Sequence, residues 1–297
     1  MFGLLNLHKP AGCTSRDVVT RVSRLVGRSV KVGHAGTLDP LATGVLVVCV
    51  GPATRLVPLI HEHQKSYEAE FLLGRRSETD DTDGQVEAVP VPEELSADRL
   101  RELLPEFTGA IQQVPPAYSA VKINGQRAYR AARQGQEFEL TAREVQVSRL
   151  ELNSFEHSPL RFSLSIDCGT GTYIRSIGRD LARRLQTAAV MSKLVRTRVG
   201  PLHVNEAVDV DSLTRERLKD SLISPLVMLD HLQQQVLDAD ALKRLEFGQT
   251  VPVPSHTGPY STSGPVVVID ETRQLRAIAS LENDRLVPQT VFKLALN

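Results

Sequence analysis

The sequence predicts a mixed α/β (α+β) chain, on three observations. An unbroken apolar run over residues 45–50, between glycines, reads as a buried strand. Other segments alternate apolar and polar residues with the period of a strand. Between these lie amphipathic stretches that open on helix-capping residues. At 297 residues, one large domain or a large plus a small one is expected.

In order along the chain, residues 2–7 are apolar and alternating and read as a first strand. Lys9-Pro10-Ala11-Gly12 is a turn, and Thr14 or Ser15 can cap a helix to about Val26, with Val18, Val19, Val22 and Leu25 on one face. Lys9 on this turn is either a phosphate contact or merely solvated. After the 45–50 strand, residues 65–74 place Tyr67, Ala69 and Phe71 on one side and Glu68 and Glu70 on the other. His61-Glu62-His63 has no further ligands nearby and reads as a solvated segment. Residues 97–104 form a helix with Leu100, Leu103 and Leu104 facing in. Residues 113–133 open on prolines, contain an Asn124-Gly125 turn, and interleave basic residues with Tyr118 and Tyr129, a pattern suited to RNA contacts or to a plain surface hairpin. Residues 143–152 and 160–168 alternate as strands. A helix begins near Thr172, with Ile174, Ile177, Leu181 and Leu185 on one stripe. Arg175 then falls in its first turn, where the helix dipole disfavours a cation by about 0.3–1 kcal/mol. An anionic partner or solvent exposure would explain it equally well. Residues 193–200 read as strand and turn. Residues 205–233 look helical and loop-like, with caps at Asp209 or Ser212. Beyond about 233–238, short strands near 251–253, 266–269 and 275–278 suggest a small β-rich appendage.

One loop stands out: Gly33-His34-Ala35-Gly36-Thr37-Leu38-Asp39-Pro40-Leu41-Ala42-Thr43-Gly44. It feeds the buried strand and carries a single acid. Pro40 pushes Asp39 into an extended conformation. A carboxylate so constrained suits chemistry, and also suits a turn aspartate that satisfies its own loop amides. The loop closely resembles the catalytic motif of tRNA pseudouridine synthases of the bacterial TruB type, which act on the T-loop uridine at position 55. Leu5-Asn6-Leu7-His8-Lys9-Pro10-Ala11-Gly12-Cys13-Thr14-Ser15 resembles the family's first motif, and Lys65-Ser66-Tyr67 its second. Gly171-Thr172-Tyr173-Ile174-Arg175 resembles its third. Lys193-Leu194-Val195-Arg196-Thr197 resembles a further family segment.

Composition bounds the alternatives. Net charge is zero, which speaks against a strongly basic nucleic-acid binder. The charge is segregated, however. Lys9, Arg16, Arg21, Arg24, Arg28 and Lys31 face only Asp17 in residues 1–34. Arg175, Arg179, Arg183, Arg184, Lys193, Arg196 and Arg198 cluster in 175–198, and acid concentrates in 78–106. This can give a basic face, or solvated helix faces. Cys13, Cys49 and Cys168 are scattered and odd in number, so no disulfide framework is expected. No apolar run approaches the ~18 residues of a membrane span. Residues 1–10 show no secretory pattern, so a cytoplasmic protein is expected. The run Thr79-Asp80-Asp81-Thr82-Asp83-Gly84 imitates a calcium loop, but Pro90 would occupy the position that needs a bidentate Glu, and no metal is expected. A dinucleotide fingerprint at Gly169 and Gly171 fails because position 174 is Ile.

The resemblance implies a long, mainly antiparallel sheet flanked by helices. It implies a catalytic domain over 1–236 with an RNA-clasping insertion at about 113–145, and a PUA-like RNA-binding domain over 237–297. It implies a uridine isomerase acting on the T arm of tRNA, monomeric and without cofactor. Asp39 would be the essential carboxylate, attacking C1′, acting as a base at C2′, or stabilising an oxocarbenium-like state. Arg175 would pair with Asp39, and Tyr67 would stack on the uracil. His34 would fill the space left by the flipped nucleotide. Tyr173 and Leu194 would line the pocket. Lys9, Asp81 and Lys122 would support substrate binding. A tRNA-binding or folding protein, or an isomerase with another RNA target, are the alternatives.

Overall fold

The computed structural model describes residues 1–119, 121–123, 126–136, 138–253 and 264–293. The chain opens with β1 (Gly3–Lys9), α1 (Ser15–Val26), β2 (Val32–His34) and β3 (Thr43–Val50). Thr14 caps α1 in a reciprocal capping box with Asp17. A short helix α2 (Val57–His61) leads into β4 (Lys65–Leu73). A small pair, β5 (Arg75–Arg76) and β6 (Glu87–Ala88), precedes α3 (Ala97–Leu103) and β7 (Gly109–Gln113). Then come β8 (Lys122–Ile123), β9 (Gln126–Arg127), α4 (Ala128–Arg133), β10 (Arg143–His157) and β11 (Leu160–Cys168). The first part of the chain closes with α5 (Ile174–Arg184), β12 (Ala189–Val199), β13 (Leu202–His203), β14 (Val208–Asp209) and α6 (Arg215–Asp220). The α6 helix is capped by Thr214, while Asp209 caps a single 3-10 turn. Neither of the expected caps, Asp209 or Ser212, starts this α-helix.

The main sheet has ten strands, in the order β14-β1-β3-β12-β4-β11-β10-β7, with β2 added to β3 and β13 to β12. It is antiparallel except where β1 meets β14 and β3 meets β12. The β4 face that carries Tyr67, Ala69 and Phe71 packs with Phe162, Leu164 and Ile166 of β11 against Ile177 and Leu181 of α5. Its other face is wet, with Glu68 accepting from Asn153 and Ser165. Such one-sided burial is what alternating strands encode. The β3 run is buried on both faces, as an unbroken apolar strand must be. Leu46, Val48 and Val50 pack under α1, and Val45, Val47 and Cys49 pack on the opposite side.

A second, five-stranded sheet follows. It contains β15 (Gln234–Val236), β16 (Val251–Pro252), β17 (Pro265–Ile269), β18 (Leu275–Glu282) and β19 (Arg285–Val291), with α7 (Ala239–Glu246) against it. Its first strand begins at Gln234, three residues ahead of the expected boundary. Val267, Ile269, Ile278 and Phe292 pack into the same cluster as Val45, Val47 and Cys49. The α7 helix and β19 were not apparent from the apolar runs alone.

Two glycines set the spacing around the site. Gly44 has φ +100°, and a Cβ there would lie 2.2 Å from the Arg196 carbonyl oxygen, so only glycine lets β3 and β12 meet. A Cβ on Gly178 would lie 2.1 Å from the Phe71 ring, so its absence lets α5 settle onto β4.

Candidate active site

The Asp39 loop is fastened from both ends. Ser15, the first residue of α1, accepts from the Leu38 N–H at 2.8 Å and donates to the Leu38 carbonyl at 3.1 Å. Beyond Asp39, the Pro40 carbonyl accepts from the Gly12 N–H at 2.9 Å and from Lys9 Nζ at 3.2 Å. Lys9 is 0% exposed and also donates to the Pro10 and Cys13 carbonyls, at 2.8 and 2.7 Å. Its three ammonium protons are therefore used inside the protein. This corrects both sequence readings of Lys9, as a phosphate contact and as a solvated side chain. It ties the first turn to the loop.

Arg175 approaches from the start of α5. It is 5% exposed, so its place in the first helical turn is not explained by solvent. Its Nε lies 3.0 Å from Asp39 Oδ2, and its Nη2 donates to Asp39 Oδ1 at 3.1 Å, a bidentate pairing. Nη1 donates to the Thr79 carbonyl at 2.7 Å and lies 3.4 Å from Asp81 Oδ2. Nη2 also donates to the Tyr118 carbonyl at 3.1 Å. Asp81 is buried behind the arginine, where it accepts from Thr79 Oγ1 and the Asp83 N–H. Burial pushes the Asp81 carboxyl above its ordinary range, and the hydrogen bond from Thr79 and the charge of Arg175 only partly offset that. The end of α5 is held by Gln113, which accepts from the Tyr173 N–H at 2.8 Å and donates to the Tyr173 carbonyl at 3.1 Å.

From the strand side comes Arg196, on β12 opposite Tyr67 of β4. It is 2% exposed. Nε donates to the Val45 carbonyl at 2.7 Å, Nη2 to Gly36 at 3.1 Å and Nη1 to Thr37 at 3.3 Å. Burial raises the Tyr67 hydroxyl above its ordinary range, and Arg196 works against that.

These groups surround a cavity of about 630 Å³. Asp39, Tyr67, Arg175, His34, Tyr173 and Leu194 all line it. Asp39 keeps 30% of its side chain exposed there, while Arg175 and Asp81 are covered. Asp81 lies behind the wall and Lys9 beneath the loop. The side chain of Lys122 and residues 124 and 125 fall outside the described residues. Burial lowers the basicity of His34, reinforced by Arg196 nearby.

Arg196, Lys65 and His61 also line the cavity and were given no site role from the sequence. The signal for two of them was present. Lys65 is two residues before Tyr67, and Arg196 two after Leu194, so the strand period puts each on the pocket side. The solvated reading of residues 61–63 holds for Glu62 and is corrected for the two histidines. His61 borders the cavity, and His63 Nε2 meets the Met228 carbonyl at 2.7 Å while its ring packs on His231. The basic-face expectation for 175–198 is corrected in part. Arg175 and Arg179 pair with Asp81 and Asp80, and Arg184 pairs with Glu106, so the acidic run neutralises much of the basic one. On α1 and the turn after it, Arg16, Arg24, Arg28 and Lys31 remain exposed.

A family model described as TruB family pseudouridylate synthase (N terminal domain) matches residues 24–174. The tRNA pseudouridine synthase B of Dehalococcoides mccartyi is 42% identical over 252 residues, 84% of this chain and 83% of that protein. The chain belongs to the TruB family. The protein of the same name from Chelativorans sp. is 38% identical to this TruB-family chain, and that match spans 98% of one and 96% of the other. Among solved structures, a chain of a Cbf5-Nop10-Gar1 complex is similar at a TM-score of 0.70 and 27% identity, over 98% of this chain and 84% of that one. No helix among the described residues is long and apolar enough to cross a membrane.

Proposed function

We propose that this TruB-family chain converts the T-loop uridine at position 55 of tRNA to pseudouridine, with Asp39 as the essential carboxylate. The observation that carries this reading is the Asp39 carboxylate, open to the cavity yet held by both Nε and Nη2 of Arg175. Arg175 holds Asp39 in place and stands as its counter-charge. Asp81 and the Thr79 carbonyl hold Arg175 in turn.

The isomerisation breaks the N1–C1′ bond, and its electron pair leaves with the uracil. The ring turns, C5 bonds C1′, C5 loses its proton and N1 gains one. Atoms and electrons balance without a co-reactant. Asp39 can meet the electron-poor sugar as a nucleophile at C1′, as a base at C2′, or as a counter-charge. Tyr67 presents its ring to the uracil, with Tyr173 and Leu194 as the other walls. The raised basicity threshold of the Tyr67 hydroxyl favours a stacking role over that of a resting phenolate. His34, uncharged because burial depresses it, fills the place of the extruded base. Lys122 and the segment around it serve as an RNA clasp, and the second sheet, from Gln234 onward, as a PUA-like RNA-binding appendage. Exposed Arg16 at the cavity lip, with Arg24 and Arg28 along α1, supplies positive charge to a phosphate backbone.

The test is a tRNA labelled with tritium at C5 of its uridines. Wild type is expected to release tritium from position 55 alone. Asp39→Asn is expected to lose more than about a thousand-fold in rate while still binding tRNA. Release mapped elsewhere would overturn the T-loop assignment, and activity retained by Asp39→Asn would overturn the role of the carboxylate.

A further inference from the structure

Behind Tyr67 the cavity floor is built from cations without a carboxylate of their own. Lys65 and Tyr67 share one face of β4, and Arg196 is the cross-strand neighbour of Tyr67. Lys65 is 5% exposed, and its Nζ donates to the His61 carbonyl at 2.5 Å. Among the described residues neither Lys65 nor Arg196 forms an ion pair, and Arg196 spends its N–H groups on loop carbonyls. The groups facing Lys65 bring no counter-charge. From β12 comes Arg196 itself. From β11 comes Cys168, whose thiol burial pushes up to about 11, so it is neutral. From α2 comes His61, which burial and Lys65 depress. Its Nε2 is buried with no hydrogen-bond partner among the described residues. Across the cavity stands Asp39, already engaged by Arg175. Burying two cations side by side is costly unless it serves a third charge. Burial, with Arg196 adding to it, lowers Lys65 to about 8. A preorganised positive floor stabilises whatever negative charge develops above it.

We propose that Lys65 and Arg196 stabilise the uracil anion during its detachment from C1′. The inference rests on the uridine-isomerase reading and extends it to the leaving group. Whichever role Asp39 plays, the ring carries the electron pair of the broken bond until C5 rejoins the sugar. Lys65 and Arg196 act on it through Tyr67 and are positioning residues for that charge.

The experiment measures single-turnover disappearance of the parent nucleoside in full-length tRNA. Wild type, Lys65→Met, Lys65→Arg and Arg196→Lys are compared between about pH 6 and pH 9.5, spanning the lysine transition. Each is given a T-loop uridine or a 5-fluorouridine, whose base leaves more readily as an anion. Wild type is expected to slow as pH rises through about 8, because Lys65 then loses its proton. Lys65→Arg, charged throughout, should lack that fall. Below pH 8, Lys65→Met should be ~100-fold slower, show no fall near 8, and recover several-fold relative to wild type on 5-fluorouridine. Arg196→Lys should show the same leaving-group recovery. Variants that bind tRNA normally, keep the fall near pH 8, and show an equal deficit on both substrates would overturn the inference. A wild type inactive on tRNA would overturn the isomerase reading itself, before any variant is compared.

Discussion

Arg175 reaches the Asp39 loop from the start of α5, and Arg196 reaches it from the middle of β12. Both are buried, yet their surroundings differ. Arg175 lies between two carboxylates, Asp39 and Asp81, so the helix side of the site is a balance of charges. Arg196 lies among the neutral carbonyls of Gly36, Thr37 and Val45, so the strand side is a scaffold of backbone dipoles that holds the loop in shape. The difference teaches that one guanidinium grips the carboxylate itself while the other grips the backbone of the loop that carries it.

The largest expected effect breaks this contrast directly. Arg175→Met leaves Asp81 buried and unpaired, and should cost about 3–5 kcal/mol in denaturant unfolding. The sign with pH follows from the carboxyl. Its folded pKa, already raised by burial, rises further, so the variant keeps more of its stability at low pH and loses it as pH climbs through that pKa. The deficit of Arg175→Met should therefore shrink between pH 7 and pH 5. That of Arg196→Met, which strands only neutral carbonyls, should change less over the same window. Equal pH slopes for the two variants would erase the distinction.

A smaller effect sharpens the helix side alone. Gly178→Ala puts a methyl group into the Phe71 ring and must lift α5. A loss of about 1–3 kcal/mol is expected. With the Arg175 guanidinium displaced from Asp39, the isomerisation rate should fall while tRNA affinity holds. An unchanged rate would show that the charge balance tolerates a shifted helix.

The smallest effect separates buried cations from exposed ones. Lys9→Met should lower stability by about 1–3 kcal/mol, through the carbonyls it strands, and leave the salt dependence of tRNA binding unchanged. Arg16→Met should do the reverse, reducing the slope of log affinity against log salt by about 1. A reduced slope for Lys9→Met would return that residue to the phosphate contacts.

Most of the longer strands were legible because alternation and the unbroken 45–50 run encode which faces are covered. The helices at α1, α3 and α5 were legible from their apolar stripes. The short strands β13 to β15 were not, since two or three residues hold no period. Nor was α7, whose eight residues carry only Ala241, Leu242 and Leu245 inward. At the site, the cation in the first turn of α5 left an anionic partner and solvent exposure equally open, and the structure puts Asp39 there. Lys9 was misread because a lysine on a turn is usually wet, and nothing local reveals that three carbonyls converge on it. The charge runs at 78–106 and 175–198 misled for the same reason: sequence shows their separation along the chain but not their meeting across it.

The parallel contact between β3 and β12 consists of two residue pairs, Val195 with Thr43 and Arg196 with Gly44. It joins segments about 150 positions apart, a closure that folding chains reach slowly. Asp39 lies just before this seam on one side, and Leu194 and Arg196 lie within or beside it on the other. A chain with both halves of the sheet formed but the seam open would hold every residue of the site and no cavity between them. Catalytic competence in this protein is thus a report on this long-range closure, and a nascent chain cannot act on RNA before β12 has been made.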